Sequence, residues 1–388
     1  MRLPVYQPTD TSESAILNWL SQINDCSNVS VRGFLPSATY VIRNAIELQI
    51  LDCGNPNRTV EIYGTGRNSS IIDIQSSKDC GDGMGFVVYG PNVTIHDLAL
   101  RGRQTADGSG RCGEGIKFVD STAAFGTVYN TKVSSFGNGA IDVYNAPGAY
   151  IHDNFIDCNG SDATGASSGP NSMGVWVRWI QRPPPPGVNN ATVNSNAIFG
   201  CASEAIALAG VIHVSVYYNT IRCDVGGGVG TPACWIGITL FSDASSNSEL
   251  SIFGTHLDNC DARPVSSNAI GYNTIYGSNR LNVGIASEGT GSGGSGHDNL
   301  IEHNTISHAR QHGIQTASTD CPFGTPSSAF SGYTIASNDV SNSLDTQIWV
   351  GGSYTRVTNN RVRNAPGSNG IYFVSTAVGI TNTGNVSY

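Results

Sequence analysis

The sequence is short of charged residues, and especially of lysine. Asp, Glu, Lys and Arg make up only 13% of the 388 residues, against a usual value of about 25%, and only three residues are lysines. The net charge is −9 and no basic run occurs, so we expect no nucleic-acid partner. No apolar run approaches the ~18 residues that a membrane helix needs, so we expect no membrane span.

The sequence also lacks any Cys-x-x-Cys pair, although it contains ten cysteines. The missing pair argues against a zinc site built from four cysteines. An even number of cysteines together with scarce lysine is typical of an oxidising compartment, and we expect a secreted, extracellular protein with disulfides. Reduced cysteines in the core are the alternative. The candidate pairs are Cys223 with Cys234, Cys158 with Cys201, and Cys26 with Cys53.

What the chain does contain is a repeated unit: a small residue, a β-branched residue, and then alternating side chains. The copies follow one another at intervals of 23 to 47 residues, most of them close to 30. They begin at Gly85, Gly115, Ala140, Gly174, Ala205, Gly237, Gly284, Gly313, Gln347 and Gly370. A second marker, Asn followed by any residue and then Ile or Val, precedes several copies, at Asn196, Asn273, Asn304, Asn338 and Asn360.

These units predict stacked strands. Their side chains alternate with a period of two and show no helical stripe, and one unit cannot bury its apolar face unless neighbours stack on it. Asn at a fixed offset would then form a ladder of side-chain amides at one corner. The sequence therefore predicts an all-β fold, a single-stranded right-handed parallel β-helix of ten or more coils. A β-propeller would need four strands in each blade of about 40–45 residues, and no such blade pattern is visible.

The first 80 residues differ from the rest. Residues 12–24 have a helical spacing of apolar side chains, and a solenoid needs a cap over the open end of its core. We therefore expect an N-terminal cap with this capping helix and the first coils in residues 1–80, followed by one continuous β-helix body in residues 81–388. The apolar positions of the helix are Ile16, Leu17, Leu20 and Ile23.

Two further motifs follow the helix: Leu-Pro-Ser-Ala-Thr-Tyr-Val-Ile at residues 35–42 and Ile-Tyr-Gly-Thr-Gly at residues 62–66. Together with the later Asn-x-Ile and Gly-Ile units, they resemble the right-handed parallel β-helix proteins of the pectin-lyase-like superfamily over nearly the whole chain. The resemblance implies a polysaccharide partner. The signatures of pectate lyases, polygalacturonases and mannuronan epimerases are not found, so no family's catalytic residues are carried over.

The repeat places specific side chains on one outer wall, because residues alternate between the two faces of a strand. Lys117, Asp142, Tyr144, Trp176 and Arg178 fall on three consecutive coils, which lie about 4.8 Å apart. One interpretation is a salt-bridged ladder in which Lys117 and Arg178 flank Asp142; such exposed pairs add little stability. The other interpretation is a sugar site.

As a sugar site, this wall fits a polysaccharide lyase that acts by β-elimination on a uronate-containing glycan. Arg178 would neutralise the substrate carboxylate, and Lys117 would be the base if desolvation makes its amine available. Tyr144 would be the proton donor or an alternative base. Asp142 would orient Lys117 or bind a calcium ion, the only cofactor that the residues suggest. The predicted substrate-binding residues are Trp176, Phe241, Glu288, His312 and Trp349, with Tyr372 a further flat ring.

Two alternatives stay open. Asp243 and Glu288 lie on adjacent coils with a predicted separation of about 8 Å, which would suit an inverting glycoside hydrolase. The chain could instead be a non-catalytic structural or adhesive β-helix, such as a spike or filament subunit that self-assembles or forms a homo-oligomer. Four histidines between His297 and His312 are expected to face different ways, so no metal site is assigned.

Overall fold

The fold is known from a computed structural model that describes most of the chain. One α-helix and many short strands make up the ordered elements of that part. None of its helices is long and apolar enough to cross a membrane. The described residues are 3–45, 47–75, 85–102, 113–136, 139–158, 173–181, 189–201, 203–224, 234–242, 265–289, 296–318, 330–363, 370–375 and 377–388.

The strands pile up in three vertical stacks, here called stacks A, B and C in the order in which each coil visits them. Every strand pairs in parallel with its equivalents in the coils before and after it. Stack A contains Val5–Tyr6, Ser30–Leu35, Thr59–Gly64, Val93–His96, Thr127–Tyr129, Ala149–His152, Ala191–Asn194, Val214–Tyr217, Ala269–Gly271, Leu300–Glu302, Thr334–Ala336, Arg356–Thr358 and Thr381–Thr383.

Stacks B and C share two long strands, Thr274–Gly289 and Thr305–Ser318, whose first parts lie in stack B and whose last parts lie in stack C. The other strands of stack B are Ala38–Ile42, Ser70–Ile74, Ala99–Arg101, Lys132–Ser134, Phe155–Asp157, Ala197–Phe199, Thr220–Arg222, Asp339–Ser341, Arg361–Arg363 and Val386–Ser387. The other strands of stack C are Leu48–Ile50, Phe86–Val88, Glu114–Val119, Gly139–Tyr144, Met173–Arg178, Glu204–Ala209, Cys234–Ser242, Ile348–Val350 and Ile371–Phe373.

A further small sheet, separate from stacks A, B and C, lies just before stack A in three of the coils, and one 3-10 turn is also present. The sheet pairs Val265–Ser266, Gly296–His297 and Phe330–Ser331, and the turn spans Ser121–Ala123. The predicted parallel β-helix is therefore confirmed, and stack A alone has 13 strands. Residue 80 is the boundary that the sequence analysis expected between the N-terminal part and the β-helix body. The strands on its two sides pair directly, since Thr59–Gly64 lies next to Val93–His96.

The core is a set of apolar columns inside the coils, because the Ile and Val anchors of successive coils lie directly above one another. Ile116 pairs with Ile141, which pairs with Val175, and Val175 pairs with Ile206. All four are completely buried, as are Ile238, Ile285, Ile314 and Ile348 in later coils, whereas Ile371 in the last coil is half-buried. The predicted vertical register of the Gly-Ile units is confirmed.

The corner between stacks A and B holds the predicted ladder of Asn side chains. Each buried Asn donates from Nδ2 to the Oδ1 of the next one at 2.9–3.0 Å and to a backbone carbonyl of the preceding coil. Its own Oδ1 also accepts the backbone N–H of the preceding Asn. The rungs are Asn154, Asn196, Asn219, Asn273, Asn304, Asn338, Asn360 and Asn385.

The predicted N-terminal helix is present as α1, Glu13–Ile23, with the Ser12 hydroxyl accepting the Ala15 N–H at 3.2 Å. Its buried face differs in one respect: Leu17 is 42% exposed, and Trp19 is buried instead. The Trp19 indole donates to the Tyr6 carbonyl at 3.1 Å, which anchors the helix to the first strand. The role of the helix as a cap stays a prediction.

The described part of the chain contains three disulfides, and they are the three candidate pairs. Cys158 and Cys201 follow equivalent stack B strands in adjacent coils, and their Cα atoms are 4.7 Å apart. The other pairs are Cys26 with Cys53 and Cys223 with Cys234. The remaining four cysteines lie outside the described residues.

Asn273→Ala tests how much the ladder contributes to stability. The substitution removes the acceptor of the Asn219 backbone N–H and one acceptor of its side-chain amide, and it removes the side-chain donor to the Val216 carbonyl and to Asn304 Oδ1. Four buried hydrogen bonds are lost, and because each contributes about 0.5–1.5 kcal/mol, we expect the free energy of unfolding to fall by about 3–5 kcal/mol in urea titrations. The control is Asn385→Ala at the half-buried last rung, where water replaces the lost bonds and the fall is about 1 kcal/mol. Equal losses at both rungs would contradict this account.

Candidate functional site

The outer face of stack C is organised in columns, one residue per coil. Strand pairing gives one column of Lys117, Asp142, Trp176, Ala207, Thr239, Ala286, Gln315, Trp349 and Tyr372. A second column holds Val119, Tyr144, Arg178, Ala209, Phe241 and Glu288. The predicted neighbours on the outer wall are therefore brought together.

Asp142 is the centre of an ionic network that crosses three coils. Arg178 donates to both of its oxygens, from Nε to Oδ1 at 3.2 Å and from Nη2 to Oδ2 at 2.7 Å. From the other side, Lys117 Nζ lies 3.7 Å from Asp142 Oδ2 and 3.6 Å from Glu114 Oε1. Within this group, two carboxylates face two cations.

Burial distinguishes this network from the exposed ladder that one interpretation of the sequence expected. Glu114, Lys117, Asp142 and Arg178 are all buried. Charges removed from water interact much more strongly than exposed pairs, and the loss of one partner leaves a buried charge unbalanced. The network is therefore an energetically important part of this face.

Tyr144 is the member of the group that reaches the surface, since it is only half-buried. The guanidinium of Arg178 lies 4.8 Å from its ring centroid and Lys117 Nζ lies 6.0 Å from it. The ring also packs against Trp179 at 4.8 Å. The half-buried Tyr144 ring thus lies against both buried cations of the network.

The surroundings of Lys117 do not support its predicted role as the base. Glu114 and Asp142 lie on two sides of its ammonium group, and neighbouring carboxylates favour the charged form over the neutral amine. Asp142 likewise does not support the predicted calcium site, because both of its oxygens already bind cationic side chains. Among the residues described, no group of three or more His, Cys, Asp or Glu side chains is placed to hold a metal ion.

Two predicted sugar-stacking residues are not open to a ligand. Trp176 is only 1% exposed, and the Arg178 guanidinium lies 3.6 Å from the centroid of its ring. Phe241 is buried with it in a small apolar cluster outside the main core, which also contains Met173, Ala207 and Ala209. The prediction of open ring faces at these two positions is wrong, because the Arg178 guanidinium covers the Trp176 ring and the apolar cluster buries Phe241.

The end of the same column is different. His312, Trp349 and Tyr372 lie on three successive coils with ring centroids 6.2 and 6.5 Å apart. Trp349 is half-buried, Tyr372 is exposed, and burial lowers the pKa of His312 below its ordinary value of 6.5. Trp349 and Tyr372 end the column that contains Lys117, and His312 lies beside that column, three residues before Gln315. The three rings form an accessible aromatic strip.

The predicted hydrolytic pair is not described in the structure. Asp243 lies outside the described residues. The backbone of Glu288 pairs with Phe241 as expected, but its side chain lies outside the described part of the chain. The pair therefore stays a prediction.

Two glutamates at the start of stack C strands were not singled out by the sequence analysis. Glu114 joins the ionic network, and Glu204 lies beside Ile236 in the next coil. Burial raises the pKa of the Glu204 carboxyl above its ordinary value of 4.5, and a hydrogen bond with Ser203 opposes the shift only in part. One sequence feature could have identified these two glutamates: Glu114 and Glu204 each directly precede the small residue of a repeat unit.

No protein-family model and no curated protein sequence matches this chain. Its fold does match solved structures. The Dettilon tailspike protein superposes with a TM-score of 0.63 at 15% identity, over 98% of this chain and 66% of that one. The A-module of a mannuronan C-5 epimerase from Azotobacter vinelandii gives 0.62 at 11% identity, over 97% and 95%. Endopolygalacturonase I from Stereum purpureum gives 0.52 at 14% identity, over 96% and 97%.

The chain is thus a right-handed parallel β-helix protein with the pectin-lyase-like fold. It spans slightly less than two thirds of the tailspike chain and nearly the full length of the other two. Identities of 11–15% establish the fold alone.

Asp142→Asn tests the importance of the buried network. Removing the charge leaves Arg178 and Lys117 short of a counter-ion, so we expect a loss of about 3–5 kcal/mol in the free energy of unfolding. The control is Asp339→Asn, which breaks a similar two-bond pair with Arg363 at the surface. That loss should stay below about 1 kcal/mol. Urea titration of both variants measures the difference, and equal losses would show that burial does not strengthen the network.

Glu204→Gln tests the raised pKa of the Glu204 carboxyl group, in a residue that is half-buried overall. The folded chain keeps the Glu204 proton at a pH where the unfolded chain has released it, so its stability falls as pH rises above about 4.5. The amide does not titrate. We therefore expect the melting temperature of the variant to equal that of the wild type near pH 4 and to exceed it by about 1–3 °C near pH 8. A difference that does not change with pH would contradict the assignment.

Proposed function

We propose that the protein is a secreted polysaccharide lyase that acts by β-elimination on a uronate-containing glycan, at the outer edge of the Asp142 network. The observation that carries the proposal is the position of Tyr144. Its half-buried phenol lies beside two buried cations, Lys117 and Arg178, which Asp142 holds in place. This arrangement combines a reachable proton-transfer group with fixed positive charge.

β-Elimination needs both a group that transfers a proton and a positive charge that stabilises the developing anion. In the elimination, a base removes the proton from the carbon that carries the carboxylate, and the C–O bond one carbon further on breaks. A double bond forms in one sugar, and the other chain leaves with a hydroxyl group. Negative charge develops on the substrate carboxylate during this step, and preorganised cations stabilise it. Lys117 and Arg178 supply that charge from beneath the surface, since both are buried.

Tyr144 is the group that moves the proton. Nearby cations favour a negatively charged phenolate oxygen, so Tyr144 can accept the proton from carbon and return it to the leaving oxygen. Lys117, which the sequence suggested as the base, instead contributes its charge. Asp142 is a positioning residue, because it touches both cations and is itself fully buried.

The aromatic strip of His312, Trp349 and Tyr372 provides further contacts for the glycan. Trp349 lies six coils after Asp142 in the same column, which corresponds to about 29 Å at the usual strand spacing. A polysaccharide chain lying along the stack would contact both regions. The names of two structural neighbours, which refer to mannuronan and to a galacturonate complex, support a uronate substrate, and the three disulfides support secretion.

A second candidate is a non-catalytic structural or adhesive β-helix. The observation in its favour is that the four buried charges balance one another, as expected of a network that only stabilises the fold. The same aromatic strip would then bind a glycan without cleaving it.

The test is incubation with polygalacturonate, alginate and other uronate polymers, followed by absorbance near 235 nm and by reducing-end assays. Tyr144→Phe removes only the phenolic oxygen and should lower the rate at least about 100-fold, as is usual for a lost general acid or base. Tyr150→Phe is the control, because this 38% exposed tyrosine lies on stack A, away from the Asp142 network. It should keep the wild-type rate.

Three outcomes would contradict the lyase. Reducing ends without absorbance at 235 nm would show hydrolysis. Glycan binding without any cleavage would favour the adhesive function. A Tyr144→Phe variant with full activity would show that the reaction takes place elsewhere.

A further inference from the structure

A second group of aromatic rings lies on another side of the β-helix, at the corner between stacks A and B. Tyr218, Tyr272 and His303 occupy the same position in three consecutive coils, each directly before a rung of the Asn ladder. All three have a left-handed backbone, with φ of 58°, 55° and 53°. Bulky side chains rarely adopt this conformation.

The equivalent position in other coils shows what the corner usually holds. There it is occupied by short polar residues, which tolerate the left-handed conformation better than aromatic residues do. These residues are Asp97, Asn130, Asp153, Ser195, Ser337 and Asn359. The three rings therefore sit where the backbone disfavours them, and the fold itself does not require them.

The rings form an ordered surface. Tyr218 and Tyr272 stack with centroids 5.1 Å apart, and Tyr272 and His303 stack at 4.7 Å with planes 10° apart. Tyr218 is 57% exposed and Tyr272 is 44% exposed. Tyr217 completes the group at 6.1 and 6.3 Å from these two tyrosines.

Tyr217 lies across the next coil, over Gly271. A Cβ atom at Gly271 would come within 2.4 Å of the Tyr217 ring, so the glycine makes room for the ring to extend along the outer face of stack A. Glu302 follows Gly271 in the register. The same added Cβ atom would lie 3.3 Å from Glu302 Cγ, so Gly271 has the Tyr217 ring on one side and the Glu302 side chain on the other. Burial and, to a lesser extent, the Glu302 carboxylate raise the pKa of Tyr217.

We propose that Tyr217, Tyr218, Tyr272 and Glu302 form a second glycan-binding site, which takes an uncharged sugar chain. Flat aromatic rings match the apolar C–H face of a pyranose. The tyrosine hydroxyls and the Glu302 carboxylate can exchange hydrogen bonds with sugar hydroxyls. The negative charge of Glu302 repels uronates. The ligand preference of this site therefore differs from that of the cationic network on stack C.

The size of the surface also fits a sugar better than a protein. A stable protein interface buries at least about 1,000 Å² in total, whereas this group consists of four rings on three coils. One or two sugar rings would cover it. The rings are already held by mutual stacking, so little freedom is lost when a ligand binds.

The test measures binding of neutral oligosaccharides by calorimetry, with cellohexaose, maltohexaose, xylohexaose and mannohexaose as probes and oligogalacturonate as the charged comparison. We expect the wild type to bind at least one neutral probe. The double variant Tyr218→Ser with Tyr272→Ser should bind it at least about tenfold more weakly. Its melting temperature should stay the same or rise, because serine occupies the same corner position at Ser195 and Ser337.

The matched control is Tyr354→Ser. Tyr354 is 69% exposed and has φ of 53° at a different corner, so its removal should leave binding unchanged. No binding of any neutral probe by the wild type, or unchanged binding by the double variant, would overturn the proposal. Cleavage of uronate polymers is measured separately at 235 nm, so failure of this site and failure of the lyase proposal are distinguishable.

Discussion

The stacking register of the coils is the constraint on which the rest of this protein depends. Buried Asn amides connect one coil to the next at 2.9–3.0 Å, and a coil cannot shift along its neighbour without breaking these bonds. Every outward position is therefore repeated about 4.8 Å further along the axis. Asn residues that are 22 to 54 positions apart in sequence become direct neighbours.

This geometry explains how a sequence with few charges concentrates four of them. Lys117, Asp142 and Arg178 come from three different coils, yet their charged groups lie 2.7–3.7 Å apart. Burial makes these contacts important for stability, and the position of Tyr144 makes them relevant to chemistry. The stacking register also explains the aromatic rings at the corner before the Asn ladder. Tyr218, Tyr272 and His303 occupy one strained position in three consecutive coils and therefore stack on one another.

Much of the fold was predictable, because its signals are local and periodic. The Gly-Ile units, the Asn marker and the Cys223–Cys234 pair depend on spacing along the chain, whereas spacing did not single out the other two disulfides. The accessibility of the outer face was not predictable in this way, since it depends on packing between distant segments. Trp176 and Phe241 were for this reason expected at the surface, and Glu114 and Glu204 were missed because their environment, rather than their spacing, makes them unusual.

The most direct test of the account is a crystal structure of the Tyr144→Phe variant with a bound uronate trisaccharide, such as trigalacturonate. The account predicts that the sugar lies on the outer face of stack C, with its carbon–hydrogen face towards residue 144 and a carboxylate turned towards the buried cations Lys117 and Arg178. A trisaccharide bound on another face, or on stack C with every carboxylate turned away from both cations, would contradict the central claim.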